Sequence, residues 1–318
     1  DLRKKTLFLA RDRMGVRPIF YTINDGRLVF GSEVKTLLGA GVRVEIDPAA
    51  LDETFVYWSV QPPRSIFKNV HQIPAGHYLL AREGEISVQP YWTADFTPES
   101  PARSVDEHVD ELEALLDDAV RIRLRADVPV GSYLSGGLDS SLIAALARRH
   151  TPLLETFSIA FEDEAFDESA FQMAMARELG TQHRVVRAAD ADIGNVFPDV
   201  VWHTEAPILR TAPAPMYMLA GLVHEHGLKV VLTGEGADEM FGGYDIFKEA
   251  AVRRFWAKNP DSTMRPALLR RLYPDIAALG QTSGAFLNAF FGKGLGETDA
   301  ADYSHRIRWT NTARFRRS

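Results

Sequence analysis

Ser135-Gly136-Gly137-Leu138-Asp139-Ser140-Ser141 stands between an apolar run, Val128–Leu134, and a helix-like run, Leu142–Arg149. The order is strand, glycine turn, hydroxyl-rich helix start. Two adjacent glycines let backbone N–H groups turn inward without Cβ clashes. The helix that follows points the positive end of its dipole at the turn. Ser135, Ser140 and Ser141 add hydroxyl donors. Such a loop cradles an anion with several oxygens, of which the pyrophosphate end of a nucleotide is one. Asp139 would repel that anion, so its use in such a cradle is to hold a divalent cation. The same residues also make an ordinary surface turn whose serines cap a helix.

A second segment bears on the choice. Residues 229–239 read KVVLTGEGADE, an apolar strand running into a glycine turn with three carboxylates, Glu235, Asp238 and Glu239. Loops at the carboxyl ends of parallel strands are where open α/β sheets bind ligands. A serine–glycine loop and an acidic glycine loop on one sheet suit phosphate plus metal. Against this, acids at a helix start are favoured by the helix dipole alone.

Outward from these loops, strands and helices alternate. The strands expected are Val128–Leu134, Thr156–Phe161, His183–Arg187 and Lys229–Thr233. The helices between them cover about 140–149, 168–179 and 215–226, with Gly180 and Gly227 as stops. That alternation implies a parallel sheet with helices on its faces. Ser104 with Glu107 forms a capping-box pattern ahead of a helix reaching about Arg125, with Val109, Leu112, Leu116 and Val120 on one face. Residues 93–104 are polar, carry two prolines and suit a linker. Residues 6–92 read as mostly strand: Thr6–Asp12, Arg17–Thr22 and Arg27–Ser32, then His77–Arg82 and Ile86–Tyr91 around Glu83-Gly84-Glu85. Asn24-Asp25-Gly26 is a hairpin signal, and 32–38 a short helix. Residues 251–318 are expected to be helical and hold no legible motif.

The 318 residues favour two domains. The net charge of −7 argues against a nucleic-acid-binding surface over the chain. Five arginines (306, 308, 314, 316 and 317) near the end read as a solvated tail. No run of 18 apolar residues suggests a membrane span, and the first residues lack the apolar core of a signal peptide. The cytoplasm is the expected compartment. There is no cysteine, hence no disulfide, thiolate metal site or cysteine nucleophile. His224 and His226 do not share a helix face, which argues against a metal site with His203.

SGGLDSS resembles the pyrophosphate loop of the N-type ATP pyrophosphatases, and TGEGADEMFGGY (Thr233–Tyr244) the companion motif of asparagine synthetases. ARDRMGVRPIFY (Ala10–Tyr21) and FGSEVKTLL (Phe30–Leu38) resemble the later part of that family's glutaminase domain. The four segments stand in the family's order and span roughly residues 6–250. The resemblance implies an α/β parallel-sheet ATP pyrophosphatase domain (105–318, truncated) after a linker (93–104) and the mostly β second half of an N-terminal-nucleophile glutaminase domain (1–92). The chain is then expected to be an internal piece. The nucleophilic cysteine would lie upstream of Asp1. The later arginine-containing motif and the catalytic lysine have no counterpart here, and Lys248 and Lys293 do not sit in the lysine's context.

The implied chemistry is ATP-dependent conversion of aspartate to asparagine through a β-aspartyl-adenylate, with ammonia from glutamine. Ser135, Gly136, Gly137, Ser140 and Ser141 would hold pyrophosphate, and Asp139 and Asp238 would hold Mg²⁺. Leu134 and Ile159 would flank the adenine, with Thr233 and Gly234 near the ribose. Glu235 and Tyr244 would act at the reacting carboxyl, and Arg210 and Glu205 on the amino-acid substrate. A homodimer is compatible with the family. Two other readings stay open: an adenylating relative acting on a sugar acid, peptide or β-lactam precursor, and a non-catalytic nucleotide-binding scaffold.

Overall fold

The computed structural model describes residues 1–96, 103–272 and 283–313. Strands β1 (Thr6–Ala10), β2 (Phe20–Asn24) and β3 (Arg27–Gly31) precede helices α1 (Val34–Gly39) and α2 (Pro48–Tyr57). Then come β4 (His71–Gln72), β5 (His77–Arg82), β6 (Glu85–Pro90) and α3 (Val105–Arg123). The alternating part runs β7 (Val130–Tyr133), α4 (Leu138–His150), β8 (Glu155–Phe161), α5 (Ser169–Leu179) and β9 (Gln182–Ala188). It continues through α6 (Asp190–Thr204), α7 (Pro213–Glu225), β10 (Val230–Leu232), α8 (Ala237–Phe241) and α9 (Asp245–Ala257). Helices α10 (Gly284–Phe291) and α11 (Arg306–Thr312) follow. Six residues of the expected linker (97–102), and Arg314, Arg316 and Arg317, lie outside the described residues.

The chain divides into two compact units. The first holds 1–112 together with 189–218. Its strands form two antiparallel sheets, β1-β5-β6 and β3-β2-β4. Asp25 and Gly26, both at positive φ, turn β2 into β3 in full register from Phe20↔Gly31 to Asn24↔Arg27, as the Asn-Asp-Gly signal requires. Val34, Leu37, Val42 and Val70 form a buried cluster beneath α1.

The second unit holds 113–188 and 219–318. Its sheet is parallel, in the order β10-β7-β8-β9. Parallel strands need crossovers, and the helices between them supply these. One face is filled by Val120, Leu146, Ala147, Leu154 and Leu232. Phe157, Leu219, Val223 and Leu228 form a second cluster. The strand order reverses at β7, whose successor β8 lies on one side and the late strand β10 on the other. Loops leaving the carboxyl ends of β7 and β10 therefore meet at a topological switch point. On α3 the expected apolar stripe is buried only toward its C-terminal end. Val120 is buried, whereas Val109 and Leu112 are exposed. Among the described residues no helix is long and apolar enough to cross a membrane.

Candidate active site

The loop after β7 is shaped by its own hydroxyls. Ser140 Oγ accepts the Ser135 N–H at 3.0 Å and lies 2.8 Å from Ser135 Oγ. Ser135 Oγ accepts the Gly137 N–H at 3.2 Å. Two of the three serines expected to be ligand donors thus hold the loop itself. Gly136 sits at φ +86, and a Cβ there would come within 2.8 Å of Phe171 Cβ on α5, so only glycine fits. Gly137 is the N-cap of α4 and brings no side chain to cap it. The first-turn amides of α4 therefore stay available to an anion. Ser141 is buried, and its Oγ has no hydrogen-bond partner among the described residues. A buried hydroxyl without a partner is costly, and a phosphate oxygen would satisfy it.

The loop after β10 lies directly against this one. A Cβ on Gly234 would stand 2.8 Å from Ser140 N and 3.0 Å from Asp139 Cβ. Thr233 Oγ1 accepts the Glu235 N–H at 3.4 Å. Beyond the short helix α8, Gly242 at φ +70 reverses the chain, and the Gly243 N–H donates to the Asp238 carbonyl at 3.0 Å. A Cβ at Gly243 would collide with the Asp238 carboxylate. The turn brings Tyr244 back so that its hydroxyl donates to Glu239 Oε1 at 2.8 Å. This hydrogen bond, then partial burial and the charges of Glu239, Asp238 and Glu235, push the Tyr244 phenol up to about 12. Glu235, Asp238, Glu239 and Tyr244 therefore form one electrostatic group. Glu239, as the partner of Tyr244, is the member that sequence reasoning did not assign. Its signal was the glycine pair separating it from the tyrosine.

Leu134 and Ile159 offer less free backbone than expected. The Leu134 N–H donates to the Phe157 carbonyl at 3.0 Å, and its carbonyl accepts from Ser158 Oγ. The Ile159 carbonyl accepts from Gln172 Nε2 at 2.9 Å. Arg210 and Glu205 belong to the first unit. The Arg210 guanidinium stacks 4.6 Å over the Trp58 ring. Glu205 is engaged by its own chain: Oε2 accepts the Val34 N–H at 2.5 Å and Oε1 the Lys35 N–H at 2.7 Å. His203 lies against the Tyr217 ring.

The fit of a cation can be tested on these donors. Among the described residues no group of three or more His, Asp or Glu side chains could hold a metal alone. Mg²⁺ does not need one, since it commonly takes one or two carboxylates and fills its shell with phosphate oxygens and water. Asp139 and Asp238 stand in the first turns of α4 and α8, and among the described residues no side-chain hydrogen bond or ion pair engages either carboxylate, so their chemistry would suit such a cation.

Fold and site together define a chain with a parallel α/β unit, its two glycine loops apposed, and antiparallel β-sheets in the residues before it. Residues 111–316 match the asparagine synthase family, and residues 1–92 match the glutamine amidotransferase domain family. The chain belongs to the asparagine synthase family. The amidase chyE of Penicillium rubens is 38% identical over 266 residues, covering 78% of this chain and 39% of that protein. The glutamine-hydrolyzing asparagine synthetase 1 of Bacillus subtilis is 36% identical over 244 residues, covering 76% and 38%. Asparagine synthetase 3 of the same organism is 31% identical over 319 residues, covering 95% and 51%. The chain thus spans about two-fifths to one-half the length of these curated relatives.

Proposed function

We propose that the full-length protein is an ATP-dependent carbon–nitrogen ligase that amidates a carboxylate through an acyl-adenylate, with ammonia drawn from glutamine. The observation that carries this reading is the apposition of the two loops, with Gly234 packed on the backbone of Asp139 and Ser140. A carboxylate oxygen is a poor leaving group, so activation comes first. The substrate carboxylate attacks the α-phosphorus of ATP, an acyl–O–P bond forms, and the bond to pyrophosphate breaks. Ammonia then attacks the acyl carbon, the C–O bond to AMP breaks, and a proton is released.

In this reading the open amides at the start of α4 and the Ser141 hydroxyl receive the charge developing on pyrophosphate. Ser135 and Ser140 hold the loop in shape, and Gly136 and Gly137 give it room. Asp139 and Asp238 would hold Mg²⁺, which would neutralise phosphate charge. Leu134 and Ile159 would flank the adenine, and Thr233 and Gly234 the ribose. Glu235 would orient the substrate carboxyl or take a proton, and Tyr244, its one proton engaged by Glu239, would present its phenol oxygen at the acyl centre as an acceptor. Arg210, its face on Trp58, would present its N–H fork to a substrate carboxylate.

The matches to asparagine synthetases support aspartate as the acceptor. The matches to proteins named amidases (chyE, and chry2 of Gibberella zeae) favour a second reading, in which another carboxylate is amidated. The cytoplasm and a homodimer go with either. Pyrophosphate release by the full-length protein, with ATP, Mg²⁺ and ammonia, tests this. Aspartate-dependent release with asparagine formed supports the first reading. Bound ATP without aspartate-dependent release favours another carboxylate or the binding-only role. Asp139→Ala is expected to abolish Mg²⁺-dependent ATP binding while the fold survives, and unchanged ATP affinity would refute the metal assignment.

A further inference from the structure

The segment 189–218 lies within the stretch matched by the asparagine synthase family, yet it folds into the unit that contains the amidotransferase-matched residues 1–92. Two side chains hold it there, one at each end of the run Glu205–Arg210. Glu205 is the C-cap of α6, in the left-handed region at φ +52. Its side chain is only 9% exposed, and its two oxygens take the successive amides of Val34 and Lys35 at 2.5 and 2.7 Å. Lys35 Nζ closes on Oε1 at 3.3 Å and stands 5.8 Å from the Trp202 ring. An apolar recess lined by Val34, Leu38, Ile66, Val201 and Pro207 lies beside this carboxylate. At the other end Arg210 lies flat over Trp58, itself in the left-handed region at φ +65 at the end of α2.

These features do not describe a substrate ligand. A carboxylate with both oxygens on backbone amides, beside an apolar recess, is already satisfied by its own chain. Charge-assisted bonds of this kind are about twice as strong as neutral ones and fix geometry. A non-glycine residue in the left-handed region costs on the order of 1 kcal/mol or more and persists only where its surroundings enforce it. The enforced backbone at Glu205 sets the direction in which the chain leaves α6, and Trp58 sets the plane of Arg210 five residues later.

We propose that Glu205 is a positioning residue: with Trp58 it latches the run 205–210 to the amidotransferase region and so presets Arg210 for an acceptor carboxylate. The acceptor role of Arg210 rests on the ligase reading, whereas the latch itself does not. Hydrogen–deuterium exchange on the full-length protein reads the latch directly. In Glu205→Ala, peptides covering residues 32–40 and 205–212 are expected to exchange at least about tenfold faster, because two amides lose their acceptor. Steady-state pyrophosphate release then reads positioning. The acceptor KM is expected to rise about tenfold with the ATP KM unchanged, as when only acceptor binding is loosened. Glu205→Gln, which keeps one accepting oxygen, should fall between. Trp58→Leu should raise the acceptor KM while sparing exchange at 32–40, and it serves if the alanine variant fails to fold. Unchanged exchange in Glu205→Ala overturns the latch. Faster exchange with an unchanged acceptor KM overturns the positioning role. A wild-type protein that releases no pyrophosphate with any carboxylate overturns the ligase reading instead, and the exchange result still decides the latch.

Discussion

Gly234 is where the two site loops touch, and its missing side chain is what allows it. Gly234→Ala places a methyl against the backbone of Asp139 and Ser140. Backbone cannot swing aside as a long side chain can, so we expect a loss of about 1–3 kcal/mol by denaturant titration, with ATP affinity falling alongside. Tyr244 provides a test by pH. Its phenol is raised from the usual 10 to about 12, first by the hydrogen bond to Glu239. A group raised in the folded state adds stability that is present below its unfolded pKa. That contribution is lost as pH climbs from about 10 to about 12. The side chain is half-exposed, so solvent screening keeps the effect small. Ultraviolet titration at the tyrosinate band is expected to lose one late-ionising phenol in Tyr244→Phe, while Tyr21, Tyr133 and Tyr303, which burial also raises, still ionise late. Loss of a phenol titrating near 10 in that variant would contradict the Glu239 pairing. At this scale the glycines and acids of both loops were legible, because their chemistry is local. Gln172 was not, since its partner is the Ile159 carbonyl on another element. Nor was the Trp58–Arg210 stack, which joins residues 152 positions apart only once the chain folds.

Among the elements, α3 begins as the sequence says it should. The Ser104 N–H donates to Glu107 Oε2 at 2.8 Å, and the Glu107 N–H donates to Ser104 Oγ at 3.2 Å, the reciprocal pair of a capping box. Ser104→Ala is expected to cost about 1 kcal/mol, seen as faster amide exchange confined to the first turn of α3. No change there would mean that packing alone holds the helix start. Strands β3, β5, β8 and β9 fall within a residue of their sequence positions, because alternation and flanking turns mark them. Helices α2 and α6 were missed for different reasons. For α2 the signal was present: Asp47 accepts the Ala49 N–H ahead of Pro48 at the first helical position. For α6 the sequence argues against a helix, with Gly194 and Pro198 inside it. Its order comes from packing, with Val200 buried and the N-terminal amide of Ala189 bonded to Asp192.

The whole molecule is stabilised at a place the sequence did not mark. Near the C-terminal end of the second unit, Glu249 is fully buried and paired bidentately with Arg308 at 3.1 and 2.8 Å. Arg253, also buried, donates to the carbonyls of Phe291, Tyr303 and Lys293 and stacks 4.2 Å over Tyr303. Arg308 was read as part of a solvated tail, and the structure corrects this: burial of Glu249 recruits it. Breaking a buried pair on one side costs about 3–5 kcal/mol, whereas replacing both partners with apolar residues is often neutral. Arg308→Ala is therefore expected to lower the melting temperature sharply, and Glu249→Leu with Arg308→Leu to recover much of the loss. Equal damage by single and double variants would mean that the pair is not what matters there.

The first unit is assembled from two stretches separated by 76 residues of the second. A ribosome releases a chain from its N-terminal side, so residues 1–112 emerge before residues 189–218, which pack into the same unit. Glu205 reaches the amides of Val34 and Lys35 only after β7, β8 and β9 have been synthesised. The strands β1 to β6 find all their pairing partners within residues 6–90, so a pause in translation between 113 and 188 would leave the sheets paired and only the Glu205 contacts unmade. During that interval the surface that Glu205 and its neighbours will cover stays open on the nascent chain, which is the kind of transient exposure that chaperones meet.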